Sequence, residues 1–348
     1  MTEPAASVPR PRFAVLDIAR GVAIIAMVIY HFCWDLSYLR FISANVGFDL
    51  GWVIFGRLVL TGFLILVGIG LVLGHGRGIR WKAFWKRWIF LVTGALVVTA
   101  GTLAEGLGLA VVPHAGPWPV VITFTLPQAF IYFGVLHAIA LSSLLALPFL
   151  RAPLVLVIVA AAIVILLPAL YSNPLFDLRQ ISWIGFWVEP PPSNDLVSVF
   201  PWFGMVLLGV IGARMVLASG LAASLAAIQP VNRPARWLAR LGRWSLVIYL
   251  VHQPILLGIL FPLAGVLHPE IAMREDNFIA SCHATCQAGG TSAELCVTYC
   301  QCGLQSVIDN DLWNAIYTGM VSADEQAKLD ESTRQCSALI YPVAPSAP

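Results

Sequence analysis

Four ionisable side chains lie on one face of the first long hydrophobic segment. At about 100° per residue of an α-helix, Asp17, Arg20, His31 and Asp35 fall within a stripe about 120° wide. Ionisable groups inside a membrane cost about 2.5–3.5 kcal/mol each on insertion scales, so they are by default hypotheses for function. The stripe therefore predicts a reaction site or a polar pathway along this helix.

The spacing within the stripe predicts two pairs with different chemistry. Asp17 and Arg20 are three residues apart and can form an ion pair, and His31 and Asp35 are an i,i+4 pair. A carboxylate beside an imidazole orients the ring and stabilises the imidazolium, which is the arrangement of a general base. The alternative is that His31 is a packed helix residue and that Asp17 and Arg20 form a structural ion pair. Spacing alone leaves both interpretations open.

The elements that position these side chains are predicted to be membrane helices. The chain is 59% hydrophobic and 11% charged, whereas soluble domains carry about 25% charged residues. This composition excludes an ordinary soluble domain and a nucleic-acid-binding protein. We expect an all-α fold, a polytopic membrane helical bundle of about seven transmembrane helices in a lipid bilayer. The predicted spans are 14–34, 52–74, 88–111, 120–147, 153–171, 197–219 and 245–267.

The distribution of charge predicts the orientation and the domains. Residues 1–267 carry a net charge of +9 and residues 268–348 a net charge of −7. The basic residues cluster between the second and third spans and between the sixth and seventh, so the positive-inside rule places these segments in the cytoplasm. We expect a cytoplasmic segment 1–13, a transmembrane domain 14–267 and an extracytoplasmic acidic, cysteine-rich tail 268–348. The predicted location is a bacterial inner membrane, with the amino terminus in the cytoplasm.

Four motifs carry a resemblance to a known family. They are LDIARGVAI at 16–24 with His31, FGVLH at 133–137, ND at 194–195 with FPWFG at 200–204, and LGRWS at 241–245 with YLVHQP at 249–254. In this order along the chain, they resemble the heparan-α-glucosaminide N-acetyltransferase catalytic-domain family, within the wider integral-membrane acyltransferases. The resemblance covers roughly residues 10–260 and none of the tail.

The resemblance implies a membrane acyltransferase that moves an acetyl group from cytoplasmic acetyl-CoA to an extracytoplasmic amino sugar or glycan. It implies a catalytic role for His31, with Asp35, and a role in the cavity for His137. Taken alone, a histidine on an apolar helix face is more often a packing residue, and the motif around His137 leaves both interpretations open. Asp195 either contacts the acceptor or supports the start of the sixth span. Direct transfer and an acyl-enzyme both remain open.

The basic segment between the second and third spans is a candidate binding site for coenzyme A. Arg77, Arg80 and Lys82 are interleaved with Trp81 and Trp85, and guanidinium groups bind phosphate oxygens with paired hydrogen bonds. An Arg-x-x-Arg pair here also resembles the membrane acyltransferases. The alternative is an ordinary cytoplasmic loop with interfacial aromatic anchors.

Two other functions compete with the enzyme. A transporter or flippase of an envelope precursor would also explain the polar stripe, but it would not need coenzyme A. If the bundle were purely structural and only anchored the tail, the function of the protein would not depend on His31. No metal site is expected in the bundle.

The tail contains six cysteines in two CxxxC pairs and two further positions. Each CxxxC places both sulfurs on one helix face, and Gly289–Gly290 supplies a turn between the two helices. We therefore predict a small α-hairpin with nested disulfides Cys286–Cys296 and Cys282–Cys300, and a third bridge between Cys302 and Cys336. Because six cysteines allow fifteen pairings, this is a geometric hypothesis. A metal site made of four thiolates, or of three thiolates and His283, is the alternative, and the oxidising compartment favours disulfides.

Overall fold

The computed structural model describes residues 13–105, 108–113, 120–125, 130–318 and 321–340. Most of the predicted segment 1–13 therefore lies outside the described residues. Nearly all of the secondary structure is helical, with one pair of short strands. The elements are α1 Ala14–Tyr38, α2 Leu50–His75, α3 Trp81–Glu105, β1 Gly108–Pro113, β2 Val120–Thr125, α4 Val135–Leu145, α5 Leu154–Leu170, α6 Val199–Ala218, α7 Leu221–Ala227, α8 Arg233–Arg243, α9 Ser245–Leu267, α10 Pro269–Ala272, α11 Arg274–Ala288, α12 Ala293–Asp309, α13 Trp313–Thr318 and α14 Ala323–Ile340.

The helices confirm a polytopic membrane bundle. Among the described residues, five helices are long and apolar enough to cross a membrane: α1, α2, α3 as far as Ala104, α6 and α9. The apolar helices α4 and α5 lie at the predicted fourth and fifth spans but are shorter. At 1.5 Å per residue, α4 is only about 16 Å long, roughly half the thickness of the hydrocarbon core.

The predicted third and fourth spans differ from the observed elements. Helix α3 ends at Glu105, and Gly108–Pro113 pairs antiparallel with Val120–Thr125, with Gly108 opposite Thr125. Every residue of Val120–Thr125 is β-branched or aromatic, which favours an extended backbone. Mean hydropathy cannot distinguish such a strand from a buried helix. Pro127, which falls inside the predicted fourth span 120–147, lies outside the described residues.

Small residues allow a close crossing of α2 and α6. Gly68 of α2 and Gly209 of α6 face each other, and a Cβ added to Gly68 would collide with the carbonyl oxygen of Val206. Close backbone approach at small residues is a common way for membrane helices to pack. The fully buried side chains of Leu64 and Leu207 belong to the hydrophobic core that α2 to α6 share.

The described residues form two compact units. One unit comprises residues within 1–30 and 50–254, and the other comprises residues within 31–49 and 255–348. The first contains most of the helical bundle. The second contains the end of α1, the turn that follows it, the second half of α9 and the tail, where Val307, Leu312 and Trp313 form a small hydrophobic core.

The tail confirms the predicted hairpin and all three disulfides. Helices α11 and α12 are joined through Gly290, whose φ of +87° suits glycine. Cys282–Cys300 and Cys286–Cys296 bridge these two helices with Cα–Cα distances of 5.8 Å each. Cys302–Cys336 ties α12 to α14 at a Cα–Cα distance of 5.6 Å. The sulfurs considered for a metal site are thus bonded to one another.

Removal of the third bridge is expected to destabilise the tail. Replacing both Cys302 and Cys336 by serine releases a crosslink between residues 34 positions apart, for which loop-closure entropy predicts a loss of about 3–4 kcal/mol. Limited proteolysis of the purified protein, read by mass spectrometry, should show earlier cleavage in α14. The matched control is Cys33→Ser, since Cys33 is a free cysteine. Equal proteolysis of the two variants would contradict the prediction.

Candidate active site

Helix α1 carries the predicted polar stripe on a single uninterrupted helix. It runs over 25 residues, so its ends project from the hydrocarbon core of a membrane. Arg20 Nη1 donates to Asp17 Oδ1 at 3.1 Å, and the Asp17 side chain is nearly buried. The predicted ion pair is therefore present. The sequence analysis left open whether it is structural or functional, and its position beside a cavity described below bears on that question.

His31 and Asp35 occupy the other half of the stripe. Asp35 is fully buried and His31 is partly buried. A buried carboxylate one helical turn from an imidazole matches the spacing of a histidine and its orienting acid. The rise from Arg20 to His31 along α1 is about 16 Å. The catalytic role of His31 and the orienting role of Asp35 stay predictions.

Two glycines hold the start of α1 against the basic helix α8. A Cβ on Gly21 would collide with the carbonyl oxygen of Leu238, and a Cβ on Gly242 would collide with the carbonyl oxygen of Asp17. The two backbones can approach this closely only because both positions are glycine. The LGRWS motif around Gly242 thereby fixes the end of α1 that carries the ion pair.

A cationic cavity lies between α2 and α3, close to that ion pair. Its volume is about 230 Å³, and Arg80, Arg87 and His75 contribute to its lining. Gly70 lines it too, and the Arg20 guanidinium lies against this glycine, 3.4 Å from the place where a Cβ would stand. Arg20 and Arg87 are close enough to repel each other electrostatically. Like charges gathered at a cavity favour an anionic ligand.

Local contacts shape the entrance of the cavity. His75 is buried, and its Nδ1 accepts a hydrogen bond from the backbone N–H of Arg80 at 3.2 Å. Arg80 Nε donates to the carbonyl oxygen of Gly74, also at 3.2 Å. These bonds fold the connection back onto the end of α2 and keep the Arg80 side chain at the cavity. Two of the predicted coenzyme A ligands, Arg77 and Lys82, are exposed and are not among its lining residues.

Asp195 caps the amino terminus of α4 from a distant part of the chain. Its Oδ2 accepts a hydrogen bond from the backbone N–H of Val135 at 2.9 Å. Phe133 and Leu196 form a parallel bridge beside it. A Cβ on Gly134 would stand only 2.5 Å from Asp195 Oδ2, so a larger residue would displace the carboxylate from this position. Asp195 thus supports the start of α4, whereas the sequence analysis considered a support for the sixth span.

His137 is held by both ring nitrogens. Its Nδ1 accepts a hydrogen bond from the backbone N–H of Gly134 at 3.3 Å, and its Nε2 lies 3.4 Å from Thr99 Oγ1. The Thr99 hydroxyl donates to the carbonyl oxygen of Ile131 at 2.7 Å, so Nε2–H is the donor in the pair with Thr99. The network favours the neutral Nε2–H tautomer, and the predicted role of His137 in the cavity stays a prediction. In this geometry His137 orients the segment before α4.

Several elements converge on the Asp195 carboxylate. Tyr30 of α1 and Tyr249 of α9 are close enough to interact with it electrostatically. The partly buried carboxyl has its pKa raised from 3.8 to about 6, because burial disfavours the charged form more than the Val135 N–H stabilises it. A carboxyl that titrates near pH 6 can exchange a proton under physiological conditions.

The raised pKa of Asp195 predicts a pH-dependent stability. The pKa of Asp195 is higher in the folded than in the unfolded protein. Its contribution to the free energy of unfolding is therefore complete below pH 3.8 and is lost as the pH rises through about 6. Asp195→Asn keeps an oxygen that can accept the Val135 hydrogen bond but has no titration. Between pH 4 and pH 7, we expect the melting temperature of the wild type to fall relative to that of Asp195→Asn. A difference that is constant with pH would contradict this prediction.

Two residues of the site, Thr99 and Tyr249, were missed by the sequence analysis, because their partners are distant in sequence. Arg87 belongs to the basic segment that the sequence analysis considered for coenzyme A, and it lies in α3 and lines the cavity. Among the described residues, no group of three or more His, Cys, Asp and Glu side chains could hold a metal ion.

Comparison with known proteins identifies the family. The family profile described as heparan-alpha-glucosaminide N-acetyltransferase, catalytic, matches residues 12–254. No curated protein and no solved structure matches the chain. The match covers more than half of the chain, includes the cavity, Asp195 and the whole of α1 in the described structure, and ends before the cysteine-rich tail. The chain therefore belongs to the heparan-α-glucosaminide N-acetyltransferase catalytic family and is an integral-membrane acetyltransferase.

Proposed function

We propose that this protein transfers the acetyl group of cytoplasmic acetyl-CoA to an amino sugar or glycan on the opposite side of the membrane. The observation that carries the proposal is the cavity at which Arg20, Arg80 and Arg87 gather. Arg20 belongs to the polar stripe of α1, and its guanidinium lies against Gly70 in the wall of this cavity. The stripe thereby connects a phosphate-binding end with the histidine further along the same helix.

The cavity suits the phosphate groups of coenzyme A rather than the whole molecule. Its volume of about 230 Å³ is below the range of about 300–1,000 Å³ for complete small-molecule sites. Arginine binds phosphate oxygens through paired, charge-assisted hydrogen bonds. In the proposal, Arg80 and Arg87 hold these phosphates, Asp17 orients Arg20 beside them, and the acetyl thioester extends along α1. Arg77 and Lys82 contribute only long-range attraction.

The proposed reaction is transfer to an amine with His31 as the base. His31 takes a proton from the acceptor nitrogen as that nitrogen attacks the thioester carbonyl carbon. The C–N bond forms, the C–S bond breaks, and the thiolate of coenzyme A leaves and receives the proton from the imidazolium. Asp35, one turn further along α1, orients the imidazole and stabilises its charged form. A hydroxyl acceptor would react in the same way and form an ester.

The other side of the membrane is assigned to the acceptor and the tail. The basic segments that flank α3 and α8 favour the cytoplasm under the positive-inside rule, and three disulfides in the tail favour an oxidising compartment. Both arguments support an orientation with the amino terminus inside and the carboxyl terminus outside. Asp195 and the segment before α4 would then face the acceptor side, where a carboxyl that titrates near pH 6 can attract an amine.

Binding of coenzyme A separates this proposal from a flippase. Isothermal titration of purified protein in detergent with acetyl-CoA, and with acetyl-pantetheine as the analogue that lacks the nucleotide phosphates, measures the contribution of the cavity. We expect acetyl-CoA to bind at least tenfold more tightly. Equal affinity for both compounds, or no binding, would contradict the proposal and favour transport without covalent chemistry.

A further inference from the structure

A second cavity lies in the compact unit that contains the cysteine-rich tail. Apart from Arg40, its lining residues lie outside the segment 12–254 that the family profile matches. Its volume is about 680 Å³, within the range of about 300–1,000 Å³ for small-molecule sites. Helices α11, α12, α13 and α14 form its walls, and Arg40, in the turn after α1, completes the lining. All of these residues belong to the same compact unit.

The lining combines hydroxyl and amide groups with aromatic rings. Ser281, Thr285 and Ser337 supply hydroxyls, Tyr299 supplies aromatic surface, and the largely buried Trp313 adds a smaller part of it. A site of this kind binds a ligand through a few directional hydrogen bonds and apolar contact with flat rings. A ring that bears several hydroxyl groups on a carbon skeleton, such as a saccharide, matches both features.

The charge of the lining restricts which saccharide fits. Residues 268–348 contain ten acidic and three basic residues, yet no Asp or Glu is among the described residues that line the cavity, and Arg40 is the one charged residue there. An ammonium group would meet a guanidinium without a carboxylate to offset it. A carboxylate would form a charge-assisted pair with Arg40. The cavity therefore selects an acidic ring and disfavours a free amino sugar.

Asn277 provides an independent indication of a ligand. It lines the cavity, and in the described part of the chain its Nδ2 is inaccessible to solvent and has no hydrogen-bond acceptor. A buried donor without a partner costs about 1–3 kcal/mol, and such groups in native structures call for an explanation. A hydroxyl or carboxylate oxygen of a bound ring would supply the missing acceptor after a small rotation of the amide.

The disulfides make the wall of the cavity rigid. Cys282 and Cys286 both line it, and their bridges to Cys300 and Cys296 fix α11 against α12. A preformed site loses less conformational freedom when a ligand binds. The bridges that stabilise the tail therefore also preorganise the cavity.

We propose that the tail cavity is a binding site for a saccharide ring that bears a carboxylate, with Arg40 and Asn277 as its principal polar contacts. None of the residues that line this cavity is assigned to the acetyl-transfer reaction, and the proposed binding does not depend on that reaction. The tail would thereby hold an acidic envelope glycan beside the membrane.

Titration of the purified full-length protein tests the proposal with three probes of similar size. They are trigalacturonate, which carries carboxylates, maltotriose, which is neutral, and the glucosamine trimer, which carries amines. We expect trigalacturonate to bind most tightly and the glucosamine trimer least. Arg40→Gln should weaken trigalacturonate about 10–100-fold, the effect expected for one charged hydrogen-bond partner, and should leave maltotriose nearly unchanged.

Two further variants test whether a loss of binding arises from misfolding or from a change in overall charge. Arg334→Gln removes an exposed arginine of α14 that pairs with Glu331 and does not line the cavity, so it should bind like wild type. Ser281→Trp places a large ring at the cavity and should abolish binding of every probe, while the three disulfides remain detectable by mass spectrometry. Tightest binding of the glucosamine trimer, or equal weakening by Arg40→Gln and Arg334→Gln, would overturn the proposal.

Discussion

Replacing His31 by alanine is expected to lower the rate of acetyl transfer by about 10²–10⁴-fold, the range that a general base contributes. The proposed chemistry requires a group that accepts a proton as the acceptor nitrogen attacks, and His31 is one helical turn from the fully buried Asp35. Affinity for acetyl-CoA should not change, because the phosphates bind at the other end of the stripe. Single-turnover transfer of labelled acetyl groups to glucosamine, with purified protein in lipid nanodiscs, measures the rate.

The control for His31 is a neighbouring position on the same helix. Cys33 is a partly buried free cysteine two residues away, so Cys33→Ala should retain the wild-type rate. A rate within threefold of wild type for His31→Ala would exclude His31 as the base and reopen the structural interpretation of the stripe. Loss of acetyl-CoA binding in His31→Ala would likewise contradict the assignment, since the proposal separates binding from proton transfer.

Replacing Arg87 by glutamine is expected to weaken acetyl-CoA binding by about 10–100-fold. The guanidinium lines the cationic cavity and lies near Arg20, so its loss removes a charge-assisted partner of the coenzyme phosphates. Acetyl-pantetheine, which has no nucleotide phosphates, should bind wild type and variant equally. The comparison of the two ligands therefore isolates the phosphate contribution from any general effect on folding.

Arg77 provides the matched control for Arg87. It belongs to the same basic segment but is exposed and is not among the residues that line the cavity. Arg77→Gln should change the affinity for acetyl-CoA by less than about threefold at physiological salt, because a distant exposed charge is largely screened. If Arg77→Gln weakened acetyl-CoA as strongly as Arg87→Gln, the binding site would be the loop that the sequence analysis favoured rather than the cavity.

The parts of the fold that were predictable depend on local periodicity. Long apolar runs predicted the spans of α1, α2, α6 and α9 to within a few residues, because a membrane requires about 20 apolar residues in succession. The i,i+4 spacing of Cys282 and Cys286, with glycines before Cys296, predicted the nested disulfides because both helices present their sulfurs on one face.

The predicted and the observed elements differ where an apolar segment does not form a helix. Val120–Thr125 is as apolar as a membrane helix, but its β-branched and aromatic residues form a strand. Helix α4 consequently begins at Val135 and is short. A scan for apolar length treats both segments as one span, so composition by residue type is needed to tell them apart.

The candidate site was predictable on α1 and less so elsewhere. Asp17 and Arg20 are neighbours on one helix, so their ion pair follows from spacing. The hydrogen bond between Asp195 and Val135 joins residues 60 positions apart, and the pair formed by His137 and Thr99 joins residues 38 apart. Such contacts depend on how the segments pack, which no local pattern encodes. The same reason explains why Arg80 lines the cavity and Lys82 does not.

The central claim is that one protein carries an acetyl group from the cytoplasmic side to an acceptor on the other side. Inverted membrane vesicles that contain the protein expose the cytoplasmic face, so acetyl-CoA labelled in its acetyl group can be added outside while an amino-sugar acceptor is sealed inside. The account predicts labelled N-acetyl sugar within the vesicles, free coenzyme A outside, and neither product with His31→Ala. Label that stays on coenzyme A, or that reaches only an acceptor added outside, would contradict it.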